Sequence, residues 1–247
     1  MKTVFGLLIL CLVHNAYGFS TDRFKRIVGG STSEHPYPYQ VSLRYLNSTL
    51  HFCGGAIISK NYIITAAHCL KFQPSDVFVT VGSNDLLTPS AIYQATSFII
   101  HPSYDEYTND IGLIYVMQDI EFNENVRPIA LASADYTYND YPLLVTGWGQ
   151  LETEGPYPNY LQEIRVKVYS QIMCNYYYEN IIANTQICTL TVQGEGMCVG
   201  DSGSPLIDND VLIGIVSFGM PPCGSGFPDV YTRVFYYRPW IYFYARI

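Results

Sequence analysis

From Tyr39 to Tyr45 apolar and polar side chains alternate, in the order Tyr-Gln-Val-Ser-Leu-Arg-Tyr. A period of two predicts a half-buried strand. Comparable β-rich runs lie at 56–59, 77–81, 111–116, 143–146 and 211–218, and Gly, Pro, Asn and Asp separate them. Strong helical periodicity is nearly absent. The exception is the end of the chain, where a helix opened by Pro239 would place Trp240, Phe243 and Tyr244 on one face. The Tyr-rich stretches Tyr176-Tyr177-Tyr178 and Phe235-Tyr236-Tyr237 suit strands and the edges of cores better than a binding device. No long internal repeat and no Pro- or Ser-rich linker divides the chain. The pattern predicts an all-β protein with a short C-terminal helix. Spacing alone does not separate one sandwich from two barrels.

The 247 residues are 49% hydrophobic and 14% charged, which suits one large domain or two small ones with a real core. The N-terminus changes the count of useful residues. Met1 to Gly18 has a basic start at Lys2, an apolar stretch from Val4 to Val13, and small residues at Ala16-Tyr17-Gly18, so it reads as a secretory signal. Phe19 to Arg26 is a polar, basic stub before the abrupt apolar start at Ile27, and reads as a propeptide. Removing residues 1–26 takes away four basic side chains and one acid, leaving 9 basic and 20 acidic residues, a net charge of −11. So acidic a chain disfavours nucleic-acid binding. No apolar run is long enough to span a bilayer. Cys11 leaves with the signal, and the six remaining cysteines suit pairing in an oxidising compartment. By spacing alone, fifteen pairings of six cysteines stay open.

Three segments carry candidate chemistry: Thr65-Ala66-Ala67-His68-Cys69, Asn109-Asp110-Ile111-Gly112-Leu113-Ile114, and Gly200-Asp201-Ser202-Gly203-Ser204-Pro205. Each has a structural explanation when taken singly: a His beside a structural Cys, an Asp leading into a strand, a tight Gly-Asp-Ser-Gly turn. Their order and combination are harder to dismiss. With Ile27-Val28-Gly29-Gly30, Gly147-Trp148-Gly149 and Val230-Tyr231-Thr232-Arg233-Val234, the chain from Ile27 to Ile247 resembles the chymotrypsin-like serine proteases.

That resemblance implies two six-stranded antiparallel Greek-key barrels with the active site between them. It also implies the pairs Cys53–Cys69, Cys174–Cys188 and Cys198–Cys223. Ser202 would be the nucleophile and His68 its base, then the acid to the leaving amine; Asp110 would hold the imidazole. The N–H groups of Gly200 and Ser202 would form the oxyanion hole. Cleavage after Arg26 would free the Ile27 amino group to pair with Asp201, since a buried carboxylate there needs a cation. Of the other histidines, His35 and His101 precede prolines and are expected at the surface, while His51 is expected near Asp201 in the unprocessed chain. No metal motif occurs, and the segment after Gly82 begins with Ser83 rather than an acid, so neither calcium nor another cofactor is expected.

Specificity is read from fewer residues. Gly196 stands at the pocket floor where trypsins resemble one another in having Asp, and with Met197 and Val199 it implies a roomy apolar entrance. Asp229 falls on the opposite wall, a pairing that resembles insect chymotrypsins and crustacean serine collagenases. If Asp229 is turned aside, large apolar residues are preferred; if it points in and stays ionised, the alternative is trypsin-like cleavage after Arg or Lys. Ser217-Phe218-Gly219 would present a strand edge to the substrate, with Phe218 where the family usually has Trp. Met220 and Pro221-Pro222 are expected to narrow the rim. Asn47-Ser48-Thr49 is a glycosylation sequon. The resulting expectation is a secreted, monomeric digestive endopeptidase with peptide or protein substrates, a trypsin-like activator and protein inhibitors as partners. The rival class is an inactive homologue that acts as a binding protein.

Overall fold

The computed structural model describes residues 27–46 and 50–247. The signal assigned to 1–18, the propeptide assigned to 19–26 (with Arg26) and the sequon at Asn47 lie outside those residues. The first half carries β1 (Ser31–Thr32), β2 (Gln40–Tyr45), β3 (His51–Ile57), β4 (Tyr62–Thr65), β5 (Val77–Val81), β6 (Ala91–Ile100) and β7 (Gly112–Val116). The second carries β8 (Ala130–Leu131), β9 (Pro142–Gly147), β10 (Gln162–Tyr169), β11 (Gln186–Leu190), β12 (Pro205–Asp208), β13 (Val211–Phe218) and β14 (Asp229–Arg233). Strands β2 to β7 close an antiparallel barrel in the order β2-β3-β4-β7-β6-β5. Strands β9 to β14 close a second, β9-β10-β11-β14-β13-β12, with β12 pairing back to β9. Two six-stranded barrels are therefore present, with β1 added beside β10 and β8 running parallel to β13.

The alternation in β2 has an unexpected meaning. Val41 and Leu43 point into the first barrel, but Gln40, Ser42 and Arg44 are buried as well. Gln40 lies against the second barrel, where the Thr146 hydroxyl of β9 donates to its Oε1 at 2.7 Å, although its Nε2 finds no partner among the described residues. Ser42 meets His51 of β3 and accepts from Arg44, so the hydroxyl buried there is paired. The predicted runs at 77–81 and 211–218 coincide with β5 and β13, whereas the run at 56–59 catches only the end of β3. Strand β10 alternates cleanly, with Ile164, Val166 and Val168 buried and Arg165 and Lys167 exposed, yet it was not among the predicted runs.

The helices differ from expectation. A short helix, α1 (Gln171–Tyr177), was not foreseen; Ser170 caps it by accepting from the Met173 N–H at 3.4 Å. The C-terminal helix, α2 (Val234–Ala245), starts five residues before Pro239, which lies inside it. Its buried face is Val234, Tyr237, Ile241 and Ala245, packed with the core of the first barrel, while Phe243 is 75% exposed. Burying each large side chain is worth about 1.5–3 kcal/mol. Val234 and Tyr237 together offset the roughly 3 kcal/mol that a proline costs within a helix. Among the described residues no helix is long and apolar enough to cross a membrane.

Three disulfides pin the loops that leave these barrels: Cys53–Cys69, Cys174–Cys188 and Cys198–Cys223, spanning 16, 14 and 25 residues. Closing loops of that size restrains the unfolded chain by about 3 kcal/mol each. The first barrel rests on side chains such as Ile114, which is fully buried in β7. Ile114→Ala is expected to cost about 2–5 kcal/mol and to lower the Tm by roughly 5–15 °C in a thermal melt. Ile92→Ala, at a position 56% exposed, is expected to leave the Tm within about 2 °C.

Candidate active site

The loop between β6 and β7 ends in Asn109, held at a positive φ of 54°, which turns Asp110 inward just before β7 begins. Asn109 is fixed from two sides, by donating to the Ser103 carbonyl at 2.8 Å and by accepting from the Tyr237 hydroxyl of α2 at 3.0 Å. Asp110 is buried, and all its oxygens are engaged. Oδ1 accepts from the His68 backbone N–H at 3.0 Å, Oδ2 from the Ser217 hydroxyl at 2.6 Å, and its carbonyl from the Thr232 hydroxyl at 2.6 Å. Burial pushes its carboxyl up, but the hydrogen bonds from His68 and Ser217 outweigh this and hold it below the usual value.

His68 sits in a 3-10 turn at Ala67–Leu70, directly after β4, and the neighbouring Cys69 is tied to β3. Its Nδ1 lies 2.8 Å from Asp110 Oδ2. Because an ionised carboxylate only accepts, Nδ1 carries the proton and Nε2 is left with a lone pair. The ring is 29% exposed, open to the cleft.

Ser202 belongs to the second barrel but is fastened to the first: the Gly54 N–H of β3 donates to its carbonyl at 2.8 Å. It is half-buried and lines a cavity of about 250 Å³, together with Met197, Val199, Ser217, Phe218, Gly219 and Asp229. Gly200 adopts φ +96°, a conformation open to glycine, and an added Cβ would come within 2.6 Å of the Tyr157 ring. The N–H groups of Gly200 and Ser202 donate to no acceptor among the described residues. Two unpaired N–H groups of this kind beside a serine hydroxyl are able to bind an oxyanion.

Asp201 is fully buried. The N–H groups of Gly149 and Cys198 donate to its oxygens at 2.8 and 2.9 Å, yet burial raises its pKa to about 6. Among the described residues no cation pairs with it. The segment that begins at Ile27 lies close by: Ile27 is fully buried in the same cluster as Met197, and the Gly196 N–H donates to the Val28 carbonyl at 2.8 Å.

His51 does not reach Asp201, contrary to expectation. Its Nε2 bonds the Gly200 carbonyl at 2.9 Å and its Nδ1 meets the Ser42 hydroxyl at 2.9 Å. The carbonyl can only accept, so Nε2 carries the proton. Asp201's oxygens already hold backbone donors, which leaves His51 to fix the peptide of Gly200. His35 is exposed, whereas His101 is half-buried between the Tyr237 and Trp240 rings.

Gly196, expected at the pocket floor, adopts φ +146° and is not among the residues that line the cavity. Asp229 is not turned aside: its Oδ2 accepts from the Met197 N–H at 3.1 Å, and a Cβ on Gly196 would come within 2.9 Å of it. Burial raises its pKa to about 7. Val199, 61% exposed, stands at the rim rather than inside. Cys53, His68 and Cys69 bring potential metal-ligand atoms together, but both sulfurs are committed to a disulfide. Sequence reading missed Tyr157 over Gly200 and the supporting bonds to Asp110. Ser217 was read only as a substrate edge, and Tyr157 lies in a loop with no periodic signal.

A model of the family described as Trypsin matches residues 27–241. The chain is 44% identical to a protein named Chymotrypsin-2 from Vespa crabro over 219 residues, 87% of this chain and 98% of that one. It is 39% identical to Trypsin II-P29 from Gallus gallus, covering 87% and 88% of the two chains. Among solved structures, mouse neuropsin, a serine protease, superimposes with a TM-score of 0.81 at 31% identity, over 87% of this chain and 98% of that one.

The His51 environment makes a testable statement. Burial lowers its pKa to about 4, whereas in the unfolded chain it titrates near 6.5. Its contribution to stability is complete above about pH 6.5 and is lost as the pH falls towards 4, by about 3 kcal/mol. In urea titrations, the stability of the native chain relative to His51→Gln is expected to fall by that amount between pH 7 and pH 4. A constant difference across this range would contradict the assignment.

Proposed function

The chain belongs to the trypsin family of serine proteases, and on that premise we propose that it is a secreted endopeptidase, made as a zymogen, with chymotrypsin-like or broad specificity. The observation that carries this reading is the His68–Asp110 pair at 2.8 Å, tied by the Ser217 hydroxyl to the cavity that Ser202 also lines.

In this reading the substrate carbonyl enters beside Ser202 with its oxygen toward the N–H groups of Gly200 and Ser202. His68 Nε2 takes the Ser202 proton as the hydroxyl attacks, then returns it to the leaving amine. Water repeats the sequence on the acyl-enzyme. Asp110 keeps Nδ1 protonated and balances the imidazolium. Losing one oxyanion donor would cost ~10²–10³ in turnover. The substrate backbone would pair with the free edge of Ser217-Phe218-Gly219.

Activation follows from the solvation of Asp201. Cleavage after Arg26 would release an α-amino group at Ile27, whose side chain is already packed beside Met197. Its charge would compensate a carboxylate that burial otherwise drives toward protonation. Because Asp201 directly precedes Ser202, the pair would order the oxyanion loop.

The cavity favours a large apolar residue: Met197, Val216 and Phe218 line it, with the Cys198–Cys223 disulfide. Burying a Phe or Leu side chain there would supply about 1.5–3 kcal/mol. A second reading, cleavage after Arg or Lys, is favoured by the inward carboxyl of Asp229. Relatives named chymotrypsin and trypsin are both similar to the chain.

Trypsin-treated protein is expected to react stoichiometrically with a fluorophosphonate at Ser202; absence of labelling would favour a non-catalytic binding protein. Ser202→Ala should lower kcat by about 10⁶ and Asp110→Asn by about 10⁴, read on peptidyl anilides. Arg26→Gln protein should stay inactive after trypsin treatment, and full activity would refute the activation scheme. On Phe, Leu, Arg and Lys anilides at pH 7, an Arg preference above about tenfold, ~1.4 kcal/mol, would overturn the apolar assignment.

A further inference from the structure

We propose that Asp229 makes the primary pocket a proton-gated selector: protonated, the pocket accepts large apolar residues at the cleaved position, and ionised, it accepts arginine and lysine. This rests on the peptidase reading above and adds that one pocket serves both substrate classes by titration.

The geometry supplies the device. The Asp229 carboxyl lies between two glycines, such that a Cβ on Gly196 would meet Oδ2 at 2.9 Å and one on Gly219 would meet Oδ1 at 2.8 Å. With no side chain at either position, nothing from these two residues covers the carboxyl, and Asp229 lines the cavity. Its two oxygens are not equivalent. Oδ2 holds the Met197 N–H at 3.1 Å, while Oδ1 accepts no hydrogen bond among the described residues. One oxygen therefore anchors the group in either protonation state, and the other is left for a ligand.

The surrounding groups do not settle its charge. From the loop before Ser202, the nearest charged group is Asp201, a second carboxylate that opposes ionisation of Asp229. From the end of α1, Tyr178 faces it but donates to the Pro228 carbonyl at 2.6 Å. On its own strand, Tyr231 accepts from the Thr189 hydroxyl of β11 at 3.1 Å. The residues that β13 and the following rim give the cavity, Val216 to Pro221 and Cys223, include no titrating group. No lysine or arginine among the described residues pairs with it. Burial is the main reason its pKa is pushed up to about 7, so both forms are populated near neutrality. An ionised carboxylate in an otherwise apolar pocket penalises a Phe side chain and rewards a guanidinium or ammonium; the neutral acid does the reverse.

The test uses processed protein and two peptidyl anilides that differ only in Arg or Phe at the cleaved residue, with kcat/KM followed from pH 5.5 to 8.5. Any ionisation that affects both substrates alike cancels in the Arg-to-Phe ratio. A group titrating near 7 is expected to raise that ratio at least about 30-fold across this range, with Asp229→Asn giving a flat ratio. A flat ratio in the native enzyme, or an equal rise in Asp229→Asn, overturns the selector. Fluorophosphonate titration of the same samples separates the two levels of failure. Full labelling with a flat ratio removes only the selector, whereas no labelling and no hydrolysis of either substrate overturns the peptidase reading with it.

Discussion

Three carboxylates are buried along the seam between the barrels, those of Asp110, Asp201 and Asp229, and no lysine or arginine among the described residues meets any of them. Burying an ionised carboxylate without a partner is among the costliest arrangements available to a protein. Each of the three meets that cost differently. Asp110 gathers hydrogen bonds from His68 and Ser217 and stays ionised. Asp201 has only two backbone donors and Asp229 only one, so both are pushed toward their neutral forms. The difference in donor supply gives three chemically similar groups different tendencies to ionise.

The barrels exist, functionally, to hold that seam. The first contributes His68 and Asp110, the second Ser202, Ser217 and Asp229, and the bonds that cross between them are specific. Gly54 donates to Ser202, Thr232 to Asp110, and Tyr237 of α2 to the residue before Asp110. Closing each sheet on itself pins the barrel strands in register, so the crossing contacts are held in a fixed register. Loops can then carry the reacting groups without losing their geometry. His51 extends the same logic, since it is neutral above about pH 4 and clamps the Gly200 peptide while Ser42 orients the ring.

How much of this is legible in the sequence depends on the range of each constraint. The Gly200–Pro205 turn is set by local backbone chemistry, and its motif stands out. The two barrels followed from resemblance, because alternation records which faces are buried and not what they are buried against. Strand β2 shows the limit: Gln40, Ser42 and Arg44 look like solvent positions but are buried, Gln40 against Thr146 of the other barrel. Helix α2 shows it again, since packing of Val234 and Tyr237 on the first barrel overrides the start signal at Pro239. The partner of His51 and the inward turn of Asp229 depend on contacts more than a hundred residues and some thirty residues away, respectively. No local pattern encodes either.

The acidic composition closes the argument. Beyond residue 26 the chain has 9 basic side chains against 20 acids. The buried ones among them are committed: Arg233 to Asp135, Gln171 and the Gln186 carbonyl, and Arg44 to Ser42. None of the lysines and arginines among the described residues pairs with Asp201 or Asp229. On the proposed scheme positive charge would be brought there by an event: chain cleavage, which would create an amine at Ile27 for Asp201, or substrate binding, which would bring a guanidinium or ammonium to Asp229. A resident arginine at either place would remove the penalty permanently. Leaving two acids uncompensated keeps the ground state incompletely satisfied, and on the proposed scheme this would make both acids responsive to an incoming positive charge.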